Sequence, residues 1–407
     1  MFFLQTIWRS VASWGMAYVF RRAGSVHALI RIVLYRVSFP RPPRLLIIQL
    51  AHMGDALMLT PVLMGLRREY PGVRVSLLLN SYTAPFFRTQ SDLGLEHIWE
   101  LDTTKFRKTG FENPVAADRS WQDLWFDQVI LVRFSPQLLP YVLMGQYGRA
   151  IFYDYGAYPL RQTWVGLLTK TPVLRDANAV QSNVSLVAEA LRKAGYPLQD
   201  LGPLHVSSSV AESQQVEACL LAVGARPQHY WVLAPGAPFR YRQWPTERYA
   251  ALLGKVLAAN ATLMVFLIGS ADERTLHQSI IDQLDQSLCV RVRSVAGDLS
   301  WGALQILIAG GRLFLGTDGG LMHLASATAT PLLALYGPQM PEIFGPWQPA
   351  PGSKVLYKRR FCSPCWQRGC VSPDHYCMMD ISVDEVQAAL DEIFSVPLAV
   401  TKTAEGY

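Results

Sequence analysis

LLIIQLAHMGDALMLTPVLMGLRREYPGVRVSLLL, residues 45–79, decides the fold. The run Leu45–Leu50 is apolar but for Gln49, as suits a strand covered on both faces. A four-residue loop, Ala51-His52-Met53-Gly54, follows it. The spacing then predicts a helix from Asp55 to Tyr70 with its apolar residues on one face. Pro71-Gly72 stops that helix, and Val73–Leu79 is the next strand. Strand, helix and strand make a βαβ unit.

The alternation continues outward. Gln128–Val132 and Ala150–Phe152 read as strands, and 177–196 as a helix ending at Gly195. Leu201–Val210, rich in Gly, Pro and Ser, reads as a linker between domains. A second series starts at Tyr230, with strands at Trp231–Ala234, Thr262–Ile268, Val290–Val295, Arg312–Leu315 and Pro331–Leu335. Helices fill the gaps between them, one with Pro245 at its first turn. The expected fold class is α/β, with two doubly wound domains facing a cleft and ligands at the carboxyl ends of the strands. The expected boundaries are a basic amphipathic extension over 1–43, domains over 44–205 and 206–395, and a flexible tail over 396–407.

Charge is spread unevenly. The 407 residues carry 37 Lys and Arg against 31 Asp and Glu. Seven of the arginines (Arg9, Arg21, Arg22, Arg31, Arg36, Arg41, Arg44) lie in residues 1–44, which hold no acidic residue. The rest of the chain is left with 30 basic and 31 acidic groups, a near-neutral balance that argues against binding nucleic acid. The extension is also apolar and aromatic, with Phe2, Phe3, Trp8, Trp14, Tyr18 and Phe20. Arg9 interrupts the apolar run, and the eleven residues between it and Arg21 fall short of the roughly 20 a membrane span needs. The expectation is one or two helices lying on an anionic membrane surface; packing on the body or on a second copy is the alternative. No basic residue precedes the apolar stretch and no small-residue cleavage site follows, so it does not read as an export signal. The body is therefore placed in the cytoplasm.

Three loops carry candidate chemistry. Asp318-Gly319-Gly320 joins an apolar strand to a helix whose free N–H groups suit a phosphate, with His323 one turn in. Asp318 as a simple cap, with the glycines as a tight turn, is the plainer alternative. Arg240 and Arg242 precede Trp244-Pro245 and could hold a diphosphate, or could be a solvated basic loop. Asp55, after Gly54 at a helix start, suits a general base but equally suits an N-terminal cap. Neither G-x-G-x-x-G after a strand, nor G-x-x-x-x-G-K-S/T, H-E-x-x-H or G-x-S-x-G is present, which weakens dehydrogenase, P-loop kinase, zinc protease and serine hydrolase readings.

Three segments in order sharpen these alternatives: IIQLAHMGDALMLTPVLMGLRREYPGVRVSLL (47–78), LAPGAPFRYRQWPTERYAALL (233–253) and LFLGTDGGLMHLASATATPLLALYGPQMPEIFGP (313–346). Together they resemble the heptosyltransferase family, the ADP-heptose:lipopolysaccharide transferases of glycosyltransferase family 9. The resemblance implies a GT-B architecture of two Rossmann-like domains. It also implies a nucleotide-diphosphate sugar bound mainly by the C-terminal domain, and inversion at the anomeric carbon with no cofactor required for catalysis. By resemblance Asp55 is the general base of the family's G-D motif, with His52 and Gly54 beside it on the acceptor side. Arg242 stands where the family usually has lysine and offsets charge on the departing diphosphate. Arg240, Pro235, Gly236, Asp318, Gly319, Gly320 and His323 fall on the donor side. Gly319 replaces the usual Thr or Ser, and His52 a small polar residue; these departures bear on the identity of the donor sugar. A lipid-anchored saccharide acceptor on the cytoplasmic face of the inner membrane fits the basic extension. A nucleotide-sugar epimerase of the same architecture, or a non-catalytic saccharide-binding protein, are the alternatives.

Loops between residues 80 and 170 (Tyr82, Phe86, Phe87, Arg88, Lys105, Arg107, Lys108) are expected to face an anionic saccharide. Cys362, Cys365, Cys370 and Cys377 form a cluster that suits structural zinc, with free or redox-active thiols and disulfides as alternatives. Cys219 and Cys289 read as core residues, the first on a helix and the second on a strand.

Overall fold

Leu45, Leu46, Ile47 and Ile48 are each at most 1 % exposed and form β1 (Arg44–Gln49), an interior strand of a parallel sheet. The computed structural model describes residues 42–102, 120–132, 146–154, 173–175, 183–365, 369–372 and 374–395. Residues 1–41 of the expected extension over 1–43 and the tail from 396 lie outside them, as do Lys105, Arg107 and Lys108. β1 is followed in the first sheet by β2 (Arg74–Asn80), β3 (His97–Leu101), β4 (Trp125–Leu131), β5 (Gln146–Asp154) and β6 (Val173–Arg175), in the order β3-β2-β1-β4-β5-β6. The second sheet holds β7 (Tyr230–Ala234), β8 (Met264–Leu267), β9 (Val292–Ser294), β10 (Leu313–Thr317), β11 (Leu332–Tyr336) and β12 (Lys354–Tyr357), in the order β12-β11-β10-β7-β8-β9. Every pairing in both sheets is parallel. Numbered from its own first strand, each sheet runs 3-2-1-4-5-6, the doubly wound order.

The helices are α1 (Met53–Leu57), α2 (Thr60–Glu69), α3 (Ala84–Thr89), α4 (Asn183–Ala194), α5 (Val210–Ala222), α6 (Thr246–Ala259), α7 (Arg274–Ile281), α8 (Gln286–Cys289), α9 (Trp301–Ala309), α10 (Gly320–Ser326), α11 (Pro341–Phe344) and α12 (Val383–Ser395). The single helix expected over 55–70 is two helices. Pro61 has no N–H to give to the Leu57 carbonyl. The Thr60 hydroxyl bonds that carbonyl instead, at 2.8 Å, and the chain restarts as α2. Cys289 ends the short helix α8, not a strand. Phe86 and Phe87 lie on α3 at 5 % and 1 % exposure, packed edge to face at 5.2 Å. They are therefore core, not acceptor surface, and Arg88 beside them pairs with Glu100 at 2.9 Å.

The chain groups into two compact units that do not follow its linear order. The first comprises the described residues of Met1–Ala51, Gly65–Ala179 and Leu186–Asp200. Its core, on one side of β1, includes Leu46, Ile48, Trp99, Phe126 and Leu131. The second comprises those of His52–Met64, Val180–Ser185 and Leu201–Tyr407. Its core includes Trp231, Trp244, Tyr249, Leu253, Leu315 and Leu390. The turn carrying Asp55 thus belongs, by proximity, to the second unit.

Candidate active site

The strand order of the second sheet reverses between β7 and β10, and such sheets hold ligands beyond the carboxyl ends of their strands at that point. β7 runs into Pro235-Gly236, and β10 into Asp318-Gly319-Gly320. The Thr317 hydroxyl donates to the Gly236 carbonyl at 2.9 Å and ties the two loops together.

Arg242 is positioned by its neighbours. After Pro235-Gly236 the chain makes one 3-10 turn, Arg240–Arg242, whose middle residue Tyr241 is buried. Gln243 Nε2 donates to the Ala237 carbonyl at 2.9 Å, closing the loop. Trp244, 1 % exposed, donates its indole N–H to the Ile381 carbonyl at 2.8 Å and meets the Tyr249 ring edge-on at 4.8 Å. Pro245 then stands at the N-cap of α6. The Arg242 guanidinium consequently lies with Nη1 3.6 Å from Asp318 Oδ2, and its Nε is buried without a hydrogen-bond partner among the described residues. Arg240 takes another course: it is exposed and hydrogen-bonds Tyr376.

Asp318 has a side chain only 13 % exposed. Burial pushes its carboxyl up to about 6; Arg242 opposes the rise, and the negative charge of Asp55 adds to it. His323, 5 % exposed on α10, is pushed down to about 4 by burial, so its imidazole is neutral near pH 7. Its Nδ1 also has no partner among the described residues. Buried polar atoms are normally satisfied, so two orphans in the same unit are groups that a ligand can complete. α10 has only seven residues, and Arg242 therefore has to supply more of the positive field than the helix start does.

α1 passes against α10 backbone to backbone. A Cβ on Gly54 would stand 2.6 Å from His323 Cδ2, and one on Gly320 would stand 3.1 Å from the Trp301 ring and 3.5 Å from the Gly54 nitrogen. Glycine at both positions permits this approach. Gly319 differs: its φ of 175° is ordinary extended backbone, and a Cβ there would meet nothing closer than 4.0 Å. The N-cap of α1 is the exposed His52, not Asp55, which lies in the helix's first turn. One Asp55 oxygen, Oδ1, accepts from Asn183 Nδ2 at 2.7 Å.

Two residues near these loops were not singled out by the sequence. Asn183 left no local signal, because its partner is 128 positions away. Glu273 did leave one: Ser270-x-x-Glu273 is a capping box directly after β8. Its carboxylate lies against Gly236 and Gly269, where any side chain would collide with it. Burial raises its pKa, against the Ser270 N–H that lowers it.

The zinc reading of the cysteines is not supported. Cys362, Cys365, Cys370 and Cys377 line a single cavity of about 30 Å³ beside Tyr241. All are free thiols, and among the described residues no three His, Cys, Asp or Glu side chains are gathered to hold a metal. Burial pushes the Cys377 thiol up to about 11. Arg360 instead binds both oxygens of Asp380, at 2.5 and 2.6 Å, and His375 meets the same carboxylate at 3.1 Å. No described helix is long and apolar enough to cross a membrane.

The chain is similar to known proteins. The family model described as glycosyltransferase family 9 (heptosyltransferase) matches residues 158–375, more than half of the chain. Lipopolysaccharide heptosyltransferase 2 of Salmonella typhimurium is 35 % identical over 113 residues, 28 % of this chain and 32 % of that protein. Lipopolysaccharide heptosyltransferase 2 of Escherichia coli is 24 % identical over 319 residues, 74 % of this chain and 85 % of that protein. The solved structure of E. coli ADP-heptose lps heptosyltransferase II superposes with a TM-score of 0.63 at 21 % identity, over 86 % of this chain and 98 % of that one. At that identity the likeness shows the fold, GT-B with two Rossmann-like sheets. The family match decides the rest: this chain is a glycosyltransferase and belongs to glycosyltransferase family 9 (heptosyltransferase).

Proposed function

We propose that this enzyme moves a heptose from an ADP-sugar to the lipopolysaccharide core or a similar lipid-linked saccharide, inverting the anomeric carbon without a metal. The observation that carries the reading is the partly buried Arg242–Asp318 pair at the switch point of the second sheet, grouped with Asp55 in one unit. The names of the E. coli relatives, among them an ADP-heptose lps heptosyltransferase, support the choice of sugar and nucleotide.

In this mechanism Asp55 takes the proton of an acceptor hydroxyl. The oxygen attacks the anomeric carbon as the bond to the diphosphate breaks on the opposite face. Arg242 offsets the charge growing on the departing diphosphate, the part a metal plays in other transferases. Neutral His323 and the backbone of Gly319 and Gly320 adjoin the phosphates and ribose. Pro235, Gly236 and Arg240 complete the donor side, His52 and Gly54 the acceptor side. Glu273 is an acceptor-only group when ionised and suits the donor's hydroxyls. The basic extension over 1–43 would hold the enzyme on the cytoplasmic face of the inner membrane. Removing residues 1–40 would then shift it from the membrane to the supernatant on fractionation, and unchanged fractionation removes that part of the proposal.

The donor is tested by turnover with ADP-heptose beside UDP- and GDP-sugars. Transfer from ADP-heptose well above the others is expected. Transfer from another nucleotide sugar alone would overturn the donor while keeping the reaction class.

A further inference from the structure

α1 is five residues long, and Asp55 sits on its single full turn. So short a helix restrains a side chain weakly, yet a general base has to meet its hydroxyl in a narrow range of directions. The restraint comes from a distant segment. Asn183 begins α4 and is 3 % exposed, with Val184 and Val187 behind it at 0 % and 2 %. Its Nδ2 donates to Asp55 Oδ1 at 2.7 Å, a short bond for a neutral amide and a carboxylate.

We infer that Asn183 is the positioning residue for Asp55: its amide holds one carboxylate oxygen and so sets the plane in which Asp55 meets the acceptor hydroxyl. Asparagine is suited to the task, because its NH₂ group donates whatever the pH, whereas an aspartate of the same shape would present a second negative charge. The buried valines that follow it on α4 fix where the amide begins. The inference rests on the proposal that Asp55 is the base.

The experiment measures kcat and both KM values for Asn183→Ala, Asn183→Asp and Asp55→Ala beside the wild type, with melting temperatures. For Asn183→Ala, kcat is expected to fall roughly 10- to 100-fold with both KM values within about twofold, the pattern of a misaimed base on intact binding surfaces. Asn183→Asp keeps the side chain's shape and is expected to lose more than Asn183→Ala near neutral pH. It decides the matter alone if the alanine variant does not fold. A kcat within twofold of wild type in Asn183→Asp, or KM values that rise in step with the loss of kcat in both variants, overturns the inference. A normal Asn183→Asp beside an inactive Asp55→Ala removes only the positioning role. Wild-type kcat in Asp55→Ala removes the base assignment itself.

Discussion

At the switch point of the first sheet, between β1 and β4, polar side chains hold a turn of backbone. Ala51 donates its N–H to Gln49 Oε1 at 3.2 Å, Asn80 donates to the Leu50 carbonyl at 3.3 Å, and the Tyr82 hydroxyl donates to the Ala51 carbonyl at 3.0 Å. At the corresponding point of the second sheet, Thr317 ties the loops at 2.9 Å, and charged groups follow at once. Arg242 and Asp318 face each other at 3.6 Å, Glu273 is pressed against two glycines, and two buried nitrogens lack partners among the described residues. Both sheets have the same strand order, so topology alone does not make a site. The turn after β1 uses neutral groups to satisfy backbone and brings in a single carboxylate, Asp55, on the helix that follows. The second switch point concentrates charge that protein alone leaves incompletely paired, and that is the state in which a charged ligand binds with gain.

Substitutions in the second site can break this contrast. Arg242→Ala is expected to lower kcat roughly 100- to 1000-fold, because it removes the cation facing the leaving diphosphate and strands a buried carboxylate. Arg242→Lys should recover part of the loss, as a point charge without the guanidinium's fork. Steady-state kinetics checks both, and equal activity in Arg242→Ala would leave Asp318 as a structural residue.

Asp318 sharpens the contrast through pH. Its carboxyl is raised from 3.8 to about 6, so the folded protein holds that proton more tightly than the unfolded chain. The resulting penalty on folding is absent below about 3.8, grows between the two values and is complete above about 6. It amounts to at most about 3 kcal/mol. Asp318→Asn removes the penalty but leaves Arg242 unpaired at every pH. The difference in melting temperature, variant minus wild type, should therefore be more positive at pH 8 than at pH 4. An equal difference at both values would show that the carboxyl is not shifted.

The glycines give the smaller effects. Gly54→Ala drives a Cβ against His323 and should cost about 1–3 kcal/mol in denaturant unfolding. Gly319→Ala meets no neighbour inside 4.0 Å and should stay within about 0.5 kcal/mol. A reversal of that order would mean that α1 and α10 do not meet as described.

Much of this was legible in the sequence, for physical reasons. Parallel strands buried on both faces are written as near-continuous apolar runs, and β1, β7, β10 and β11 were read from them. The less apolar or shorter strands β3, β6 and β12 were not, since HIWEL, VLR and KVLY mix exposed with buried positions or are too brief to carry a period. The site loops were legible because glycines and charges after a strand end stand out. Asn183 was hidden, since one polar residue at the start of an amphipathic helix says nothing about a partner 128 positions away. Phe86 and Phe87 misled for the opposite reason: two aromatics after a strand look like a surface patch until a short helix turns both inward. Pro61 carries the signal for the break in the first helix, and the single helix expected over 55–70 does not take it into account.

The most direct test of the account is transfer and donor affinity in Asp55→Ala beside the wild type, with ADP-heptose as donor and a heptose-accepting lipopolysaccharide core as acceptor. The account predicts transfer reduced by about 100- to 10,000-fold with the dissociation constant for the donor nearly unchanged. Transfer at the wild-type rate in Asp55→Ala, or none from ADP-heptose in the wild type, would contradict it.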